Sequence, residues 1–283
     1  MPFESPVDAA VAAALSMLLE VSGNPKAGNV DRMHEFSDLK YEHFLASATA
    51  SLPVFIEVAR SGKIGEGIYK AVETSKKWHR ASNVHFGAYL LLVPLLTAWN
   101  AESMFDVAKV AVENLKKTTY VDSIFISKAF RVCKARVISA NNLSLQNASV
   151  EKLLLGRKVN VYEWMSMAPK ENIIARELVE GYKISLRGAE YILSSDLEVN
   201  EKIVFLYHRF LSEYLDPLII SKAGVDKAKE VLALAKKALN SENPFKAFEE
   251  LDELLINQNL NPGTIADIVV SSLYLAFVEG WRF

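Results

Sequence analysis

Apolar residues recur at steps of three and four along most of the 283-residue chain. This spacing places them on one face of a helix, as expected where that face is buried in a protein core. The pattern is clearest from Tyr41 to Ala59, whereas no segment alternates apolar and polar residues at a period of two for long. We therefore predict an all-α fold, with roughly a dozen helices in one large domain that spans residues 1–283.

Caps and helix-breaking residues set the predicted ends of these helices. Ser22-Gly23-Asn24-Pro25 ends the first helix, and Ser37 or Asp38 caps the second. A polar linker at 141–147 could divide the chain into two halves, although a helix set of this size is more typical of one shared core. The predicted helices cover residues 7–21, 38–60, 64–80, 81–99, 101–117, 118–138, 171–193, 200–214, 225–239, 244–258 and 264–281.

Composition excludes several classes of function. Half of the residues (51%) are hydrophobic and the net charge is −2, so a large core is expected, with no electrostatic reason for binding to nucleic acid or an anionic membrane. The apolar runs at 84–99 and 265–278 are shorter than the roughly 20 residues of a membrane span, and no basic flank precedes the apolar run at 9–19. With a single cysteine, Cys133, these features predict a cytoplasmic protein without a membrane segment.

The polar stretch from Glu20 to Ser47 joins two apolar helices and is the first candidate site. Basic side chains in it could contact phosphate, a glycine permits close backbone approach, and two carboxylates four residues apart would share a helix face and could hold Mg²⁺. The alternative is a solvated helix entry with an acidic first turn. The residues concerned are Lys26, Gly28, Arg32, Asp38 and Glu42.

Five further stretches carry polar residues for which a structural role is also open. Asn83, His85 and Gly87 open a helix, where free N–H groups attract anions, but Asn83 also suits an N-cap and His85 a hydrogen-bonded core position. The spacings of Thr119 with Asp122 and of Thr264 with Asp267 fit capping boxes. Arg176 beside Glu177 fits a surface pair, and Lys222 a helix junction.

Seven segments form an ordered set of motifs along nearly the whole chain. Residues 20–32 are similar to a Pro-Lys-Pro-Gly-x-Val-Asp segment, and Asp38 with Phe44 and Ser47 to an acidic motif after it. Residues 83–87 resemble Asn-Thr-His-x-Gly, 118–122 Thr-Thr-x-x-Asp and 172–177 Asp-x-Ile-Ala-x-Glu. Residues 216–224 resemble Pro-Asp-x-Leu-Ile-x-Arg-Lys-x-Gly, and 261–267 Pro-Gly-x-x-Ala-Asp. Together they resemble the triphosphoribosyl-dephospho-CoA synthase family.

The resemblance implies an enzyme that joins the ribose C1′ of ATP to the 2′-hydroxyl of dephospho-CoA and releases adenine, with Mg²⁺ as cofactor. It implies small-molecule nucleotides as partners and allows a homodimer. Roles carried over to this chain are expectations. The expected catalytic residues are Asp31, Asp38 and His85; the nucleotide-binding residues are Lys26, Gly28, Arg32, Asn83, Gly87, Thr119, Arg176 and Lys222; the metal ligands are Asp38, Glu42, Asp122 and Asp267.

The chain also departs from the family pattern at several motif positions. Ala27 replaces a proline, Phe36 and Lys40 replace polar positions of a His-x-Asp-Met-Asp motif, Val84 replaces a threonine and Asn172 an aspartate. The apolar run at 90–96 is more similar to archaeal relatives. Two alternatives therefore stay open: a related transferase with a pterin- or nucleotide-type acceptor, and a helical nucleotide-binding protein that lost turnover.

Overall fold

The computed structural model describes residues 3–135 and 149–283, and its regular elements over those residues are all helices, which confirms the predicted all-α class. Fifteen α-helices cover the described chain, more than the dozen predicted. Their bounds are α1 Pro6–Ser22, α2 Tyr41–Ser61, α3 Ile64–Ser75, α4 Phe86–Leu96, α5 Met104–Lys116, α6 Tyr120–Cys133, α7 Val150–Arg157, α8 Val161–Ser166, α9 Ile173–Glu180, α10 Lys183–Ser194, α11 Val199–Leu211, α12 Pro217–Ala223, α13 Val225–Leu239, α14 Pro244–Asn257 and α15 Gly263–Val278.

Two helices form the centre of the core, α4 and α15. Both are apolar on nearly every face, and every residue of α15 from Ile268 to Val278 is buried, which is typical of a helix surrounded by others. Helices α1, α4, α10 and α11 pack around α15. Most of the buried apolar residues form one continuous cluster from Phe3 to Trp281, and a second, smaller cluster consists of Val21, Val30 and Phe36. The two ends of the chain therefore contribute to the same core, and one domain over residues 1–283 stays our prediction.

Several predicted helix ends are wrong because local backbone geometry intervenes. Helix α2 begins at Tyr41 with Lys40 as its N-cap, not at Ser37 or Asp38, and α3 ends at Ser75 rather than near residue 80. The predicted helix at 171–193 is two helices, since Gly181 and Tyr182 both adopt positive φ (87° and 58°). Helices α7, α8 and α12 were not among the predicted ranges. The linker at 141–147 lies outside the described residues.

No helix of the described chain combines the length and apolar character needed to cross a bilayer. Cys133 is a buried free thiol at the end of α6. Burial raises the pKa of this thiol to about 12, so the group remains protonated and unreactive near neutral pH.

One buried histidine makes stability depend on pH. His208 on α11 is fully buried, stacks on Phe248 at 3.6 Å between ring centroids and accepts a hydrogen bond from the Ala27 N–H. Burial lowers the pKa of His208 to about 3. Between pH 6.5 and 3 the unfolded chain therefore binds more protons than the native protein, and stability is lost as the pH falls through this window.

Replacement of His208 by glutamine should flatten this dependence. We expect H208Q to be less stable than the wild type at pH 7.5, because the stacking on Phe248 is reduced. The difference should shrink as the pH falls from 6.5 towards 4, since each pKa unit corresponds to about 1.4 kcal/mol. Urea denaturation at a series of pH values measures both curves. Parallel curves would show that His208 does not contribute to the acid sensitivity.

Candidate active site

A cavity of about 240 Å³ opens where six distant parts of the chain meet. It lies between the end of α1, the segment before and at the start of α2, the start of α4, the end of α6, helix α12 and the start of α15. Aromatic and aliphatic side chains form part of its wall. The polar lining residues are Glu20, Asn29, Asp38, Ser82, Asn83, His85, Lys134, Lys222, Asn259, Asn261, Thr264 and Asp267.

The loop after α1 is fixed to α11 and α14 by hydrogen bonds to its backbone. The Ala27 N–H donates to His208 Nε2 (3.3 Å), and Tyr207 donates its hydroxyl to the Ala27 carbonyl (2.8 Å). The Gly28 N–H donates to Asp252 (2.8 Å). Gly28 has a φ of 71°, and a Cβ there would lie 2.6 Å from the Leu260 carbonyl oxygen. The predicted close backbone approach at Gly28 therefore occurs, but against the protein itself.

Lys26 forms a buried ion pair at the base of the cavity. Its side chain is fully buried, and its ammonium contacts the Glu20 carboxylate and lies 3.4 Å from Asn29 Oδ1. Burial raises the pKa of Glu20, and the neighbouring Lys26 charge offsets part of that rise. Glu20 lines the cavity, whereas Lys26 lies behind it. The charge of Lys26 thus acts on the site through Glu20, and its predicted contact with phosphate stays a prediction.

Asp31 lies beside the cavity in a compact acidic and imidazole group. Its carboxylate is 1% exposed and accepts the N–H groups of Lys26, Met33 and His34. His34 Nδ1 is also 2.7 Å from Asp252. The ligand atoms of Asp31, His34 and Asp252 lie within 4.8 Å of one another, but these groups already bind each other and the loop backbone. They hold the loop in shape, and a catalytic role of Asp31 stays a prediction.

Asp38 is the predicted acidic residue that lines the cavity in this part of the chain. It precedes α2, which begins at Tyr41, so the expected helix face shared by Asp38 and Glu42 does not exist. Glu42 is exposed and is not among the described lining residues. Arg32 is also exposed, and it donates to the Ser22 carbonyl at 2.6 Å.

The start of α4 brings three predicted residues together. Asn83 and His85 line the cavity, and both the Asn83 Oδ1 and the His85 Nε2 are buried without a hydrogen-bond partner among the described residues. Gly87 contacts the closing motif instead, because a Cβ at this position would lie 2.1 Å from Asp267 Oδ2. The next residue, Ala88, donates its N–H to Asp267 Oδ1 at 2.9 Å. A glycine is needed here for α4 and α15 to approach each other.

Asp267 faces the cavity from α15 in an acidic environment. Burial raises the pKa of Asp267 well above its ordinary value, and the negative charge of Glu20 raises it further. The predicted capping box with Thr264 is not formed, since α15 begins at Gly263 with Pro262 as N-cap. A carboxylate held in this state is stabilised in its charged form by any cation that enters the cavity.

Asp216 joins α12 to α15 and so places the C-terminal part of the site. Its Oδ1 accepts the N–H groups of Leu218 and Ile219, and its Oδ2 accepts the Ile265 N–H at 2.9 Å. These bonds cap α12 and fix the start of α15 beside it. They bring Lys222, whose ammonium contacts the Asn259 carbonyl, to the edge of the cavity.

Comparisons with known proteins identify the relatives of this architecture. The family model described as CitG, ATP:dephospho-CoA triphosphoribosyl transferase, matches residues 6–283. The chain belongs to this family.

Individual relatives agree with the family assignment. The chain is 25% identical to a 2-(5''-triphosphoribosyl)-3'-dephosphocoenzyme-A synthase of Streptococcus equi subsp. equi, over 93% of this chain and 94% of the relative. A crystal structure from Archaeoglobus fulgidus described as a triphosphoribosyl-dephospho-CoA synthase is 45% identical, with a TM-score of 0.76, and the match covers 86% of this chain and 100% of that one. As a CitG family member the protein is a transferase, and the family reaction is triphosphoribosyl transfer from ATP to dephospho-CoA.

Two motifs of the CitG pattern lie away from the cavity. Thr119 and Asp122 form the capping box of α6, and Asp122 also accepts the Gly65 N–H at 3.1 Å. Arg176 pairs with Glu180 at 3.1 Å on the surface of α9. None of these side chains is among the described lining residues. Their predicted roles in nucleotide or metal binding are not supported by their position and remain predictions.

Several lining residues were not predicted as site residues, among them Asn29, Asn261 and Lys134. Asn29 donates to Asn261 at 3.1 Å, which joins the first and last motifs across the cavity. Lys134 follows α6 in a left-handed conformation (φ 50°). Asn29 and Asn261 lie inside motif segments and could have been found by extending the motif argument, whereas nothing in the sequence around Lys134 indicates a site.

Proposed function

We propose that this chain transfers the triphosphoribosyl group of ATP to the 2′-hydroxyl of dephospho-CoA, with release of adenine, in the cavity beside α4 and α15. The observation that carries this proposal is that five of the seven motif segments contribute lining residues to one cavity. A cavity of about 240 Å³ is smaller than the roughly 300–1,000 Å³ of sites that enclose a whole drug-sized ligand. It suits the reacting ribose and base, with the remaining parts of both substrates outside.

The charged residues around the cavity fit the positive charge that develops on the ribose and the negative charge of the triphosphate. Breaking the bond between C1′ and adenine N9 leaves positive oxocarbenium character on the ribose, which carboxylates stabilise. Glu20, Asp38 and Asp267 supply them. Lys134 and Lys222 are the cations in the lining and are exposed at its edge, where we place the triphosphate. In this arrangement Lys26 supports Glu20 and does not bind phosphate.

The donor set of the cavity also fits Mg²⁺. Magnesium is usually held by one or two carboxylates together with phosphate oxygens and water. Asp267 is a buried carboxylate whose pKa is raised by burial and by Glu20, so a divalent cation would stabilise its charged form. We propose Asp267 and Asp38 as the residues that would hold the ion. When bound, Mg²⁺ would neutralise charge on the triphosphate. Glu42 and Asp122 are not part of this proposal.

An assay of adenine release with detection of the acceptor adduct tests the function. Purified protein, ATP, Mg²⁺ and dephospho-CoA should yield adenine together with triphosphoribosyl-dephospho-CoA, measured by chromatography and mass spectrometry. Adenine release without this adduct would indicate another acceptor, such as a pterin or nucleotide. Phe36 favours that alternative, since it lines the cavity where the motif has a polar residue. Tight ATP binding without turnover would indicate a binding protein.

The predicted homodimer and cytoplasmic location remain predictions.

Replacement of Asp267 by asparagine should lower kcat by about a hundred- to a thousandfold, the range of single electrostatic groups in active sites. The amide keeps an oxygen that can accept the Ala88 N–H, so the fold should be retained, and a higher Mg²⁺ concentration should be needed for half-maximal rate. The matched control is D226N, because Asp226 is a fully exposed carboxylate on α13. Equal rates for D267N and D226N would remove Asp267 from the site.

A further inference from the structure

His85 occupies an unusual position at the edge of the cavity. It is the N-cap of α4 with a φ of 63°, a left-handed conformation that is uncommon for residues other than glycine. Residues held in such conformations often belong to functional sites. The side chain is 4% exposed, lines the cavity and packs against Phe44. Its Nε2 is buried and has no hydrogen-bond partner among the described residues.

The other ring nitrogen of His85 begins a buried chain of hydroxyl groups. His85 Nδ1 lies 3.0 Å from Ser47 Oγ, which lies 2.7 Å from the Tyr89 hydroxyl. The Tyr89 hydroxyl lies 2.7 Å from Ser51 Oγ, and Ser51 in turn bonds the Ser47 carbonyl at 2.7 Å. Ser47, Ser51 and Tyr89 are all fully buried. These four residues are the His85 relay.

The direction of the bond between His85 and Ser47 follows from the fixed acceptor at the far end of the His85 relay, the Ser47 carbonyl. A carbonyl oxygen can only accept, so Ser51 donates its single hydroxyl proton to the Ser47 carbonyl. The contact between Ser51 and Tyr89 then requires Tyr89 to donate. With its proton used, Tyr89 accepts from Ser47, and Ser47 must accept from His85. Ser75 also contacts the Tyr89 hydroxyl and lies 2.8 Å from His79 Nε2. If Ser75 donates to Tyr89, the count is unchanged, and if Ser75 accepts from Tyr89, the tyrosine proton is still directed away from the Ser47 hydroxyl.

We propose that Ser47, Tyr89 and Ser51 hold His85 in the Nδ1–H tautomer, so that its bare Nε2 accepts a hydrogen bond from the acceptor hydroxyl in the cavity. The inference rests on the proposed function for the identity of that hydroxyl, but not for the tautomer. Ser47, Tyr89 and Ser51 are positioning residues. Burial lowers the pKa of His85 to about 3, so the ring is neutral near pH 7 and its lone pair is available.

This arrangement supports attack of the acceptor hydroxyl on the ribose of ATP. The hydroxyl oxygen forms a bond to C1′ of ATP while the bond from C1′ to N9 breaks, and the bonding pair leaves with adenine. The attacking oxygen becomes a strongly acidic oxonium, so even a weakly basic imidazole can take its proton at Nε2. The imidazolium returns this proton to water, and adenine takes up one proton from water as it leaves.

Nitrogen NMR of histidine-labelled protein tests the tautomer directly, because protonated and bare imidazole nitrogens have clearly different shifts. In the wild type we expect a protonated Nδ1 and a bare Nε2 for His85. In Y89F and in S51A the Ser47 hydroxyl is free to donate to Nδ1, so the Nε2–H tautomer should become substantial. An Nε2–H tautomer in the wild type overturns the proposal, as does an unchanged tautomer in both variants.

The matched control is S16A, since Ser16 is a buried serine on α1 that also donates to the carbonyl four residues before it (2.8 Å). It removes the same type of bond without touching the His85 relay and should leave the His85 signals unchanged. Two relay variants are used so that a folding defect in one does not decide the result.

A binding comparison tests the role of Nε2 separately from turnover. The probes are dephospho-CoA and its 2′-deoxy analogue, each titrated in the absence of ATP. The wild type should bind the deoxy analogue about five- to tenfold more weakly, the value of one hydrogen bond, and Y89F should lose this preference.

Turnover should show kcat about tenfold lower in Y89F with the KM for ATP within about twofold. Equal wild-type affinity for both probes overturns the role of Nε2. A wild type that shows the predicted tautomer but forms no dephospho-CoA adduct contradicts the proposed function alone.

Discussion

Replacement of Gly87 by alanine should reduce activity about a hundredfold or more while the protein remains folded. A Cβ at this position would lie 2.1 Å from Asp267 Oδ2 and 2.7 Å from its Cγ, distances that no folded protein tolerates. Asp267 is a short side chain fixed by the Ala88 N–H, so it must rotate away from its present position. Displacing a catalytic group by about 1 Å can cost on the order of a hundredfold in rate. Steady-state adenine release gives kcat and KM for G87A.

The matched control for this variant is Gly156→Ala. Gly156 lies in α7, and a Cβ there would meet nothing within 4 Å. Alanine is favoured over glycine inside helices by roughly 0.5–1 kcal/mol, so G156A should be active and slightly more stable. A second check is D267N/G87A, where activity should be no lower than in G87A alone, since both changes remove the same group. Wild-type activity in G87A would show that the position of Asp267 does not matter.

Sequence periodicity predicted the fold class and several helices well. The prediction for α13 coincides with its observed bounds Val225–Leu239, because that helix has a regular apolar stripe between clear breakers. The break at Gly181 and Tyr182 was missed because apolar spacing continues across it. A tyrosine in the left-handed region is held there by tertiary contacts, including the bond from its hydroxyl to the Leu91 carbonyl at 3.0 Å. Such contacts have no local signal.

The sequence predicted part of the candidate site. Asp38, Asn83, His85, Lys222 and Asp267 were identified from motifs and do line one cavity. The sequence could not show which charged residues turn inwards to other protein groups, because that depends on long-range packing. For this reason the pairing of Lys26 with Glu20 was not anticipated.

The buried pair of Lys26 and Glu20 predicts the largest effect on stability. Replacement of Lys26 by methionine leaves the Glu20 carboxylate, which is 2% exposed, without its cation. Removing one partner of a buried pair typically costs about 3–5 kcal/mol. We expect K26M to lose stability of this order in urea denaturation at pH 7.5. Lys246→Met on α14 is the control, since its exposed partner Glu250 is 4.0 Å away, and such pairs contribute about 0–1 kcal/mol.

The pH dependence of K26M provides an independent check. Burial already raises the pKa of Glu20 in the wild type, and the Lys26 charge opposes that rise. Without Lys26 the pKa of Glu20 should rise further above its unfolded value. A carboxyl with a raised native pKa is fully stabilising below the unfolded pKa and loses this contribution as the pH rises through the native pKa. The deficit of K26M should therefore be smaller at pH 5 than at pH 7.5.

The double variant E20Q/K26M separates support of Glu20 from direct contact with phosphate. It removes both charges, so its stability should lie well above that of K26M. If Lys26 acts only through Glu20, E20Q and E20Q/K26M should bind ATP with the same affinity, measured by calorimetry with Mg²⁺. A tenfold weaker affinity in the double variant would instead show that the Lys26 ammonium contacts the triphosphate. Because E20Q removes the charge at position 20 from both proteins, this comparison isolates the lysine.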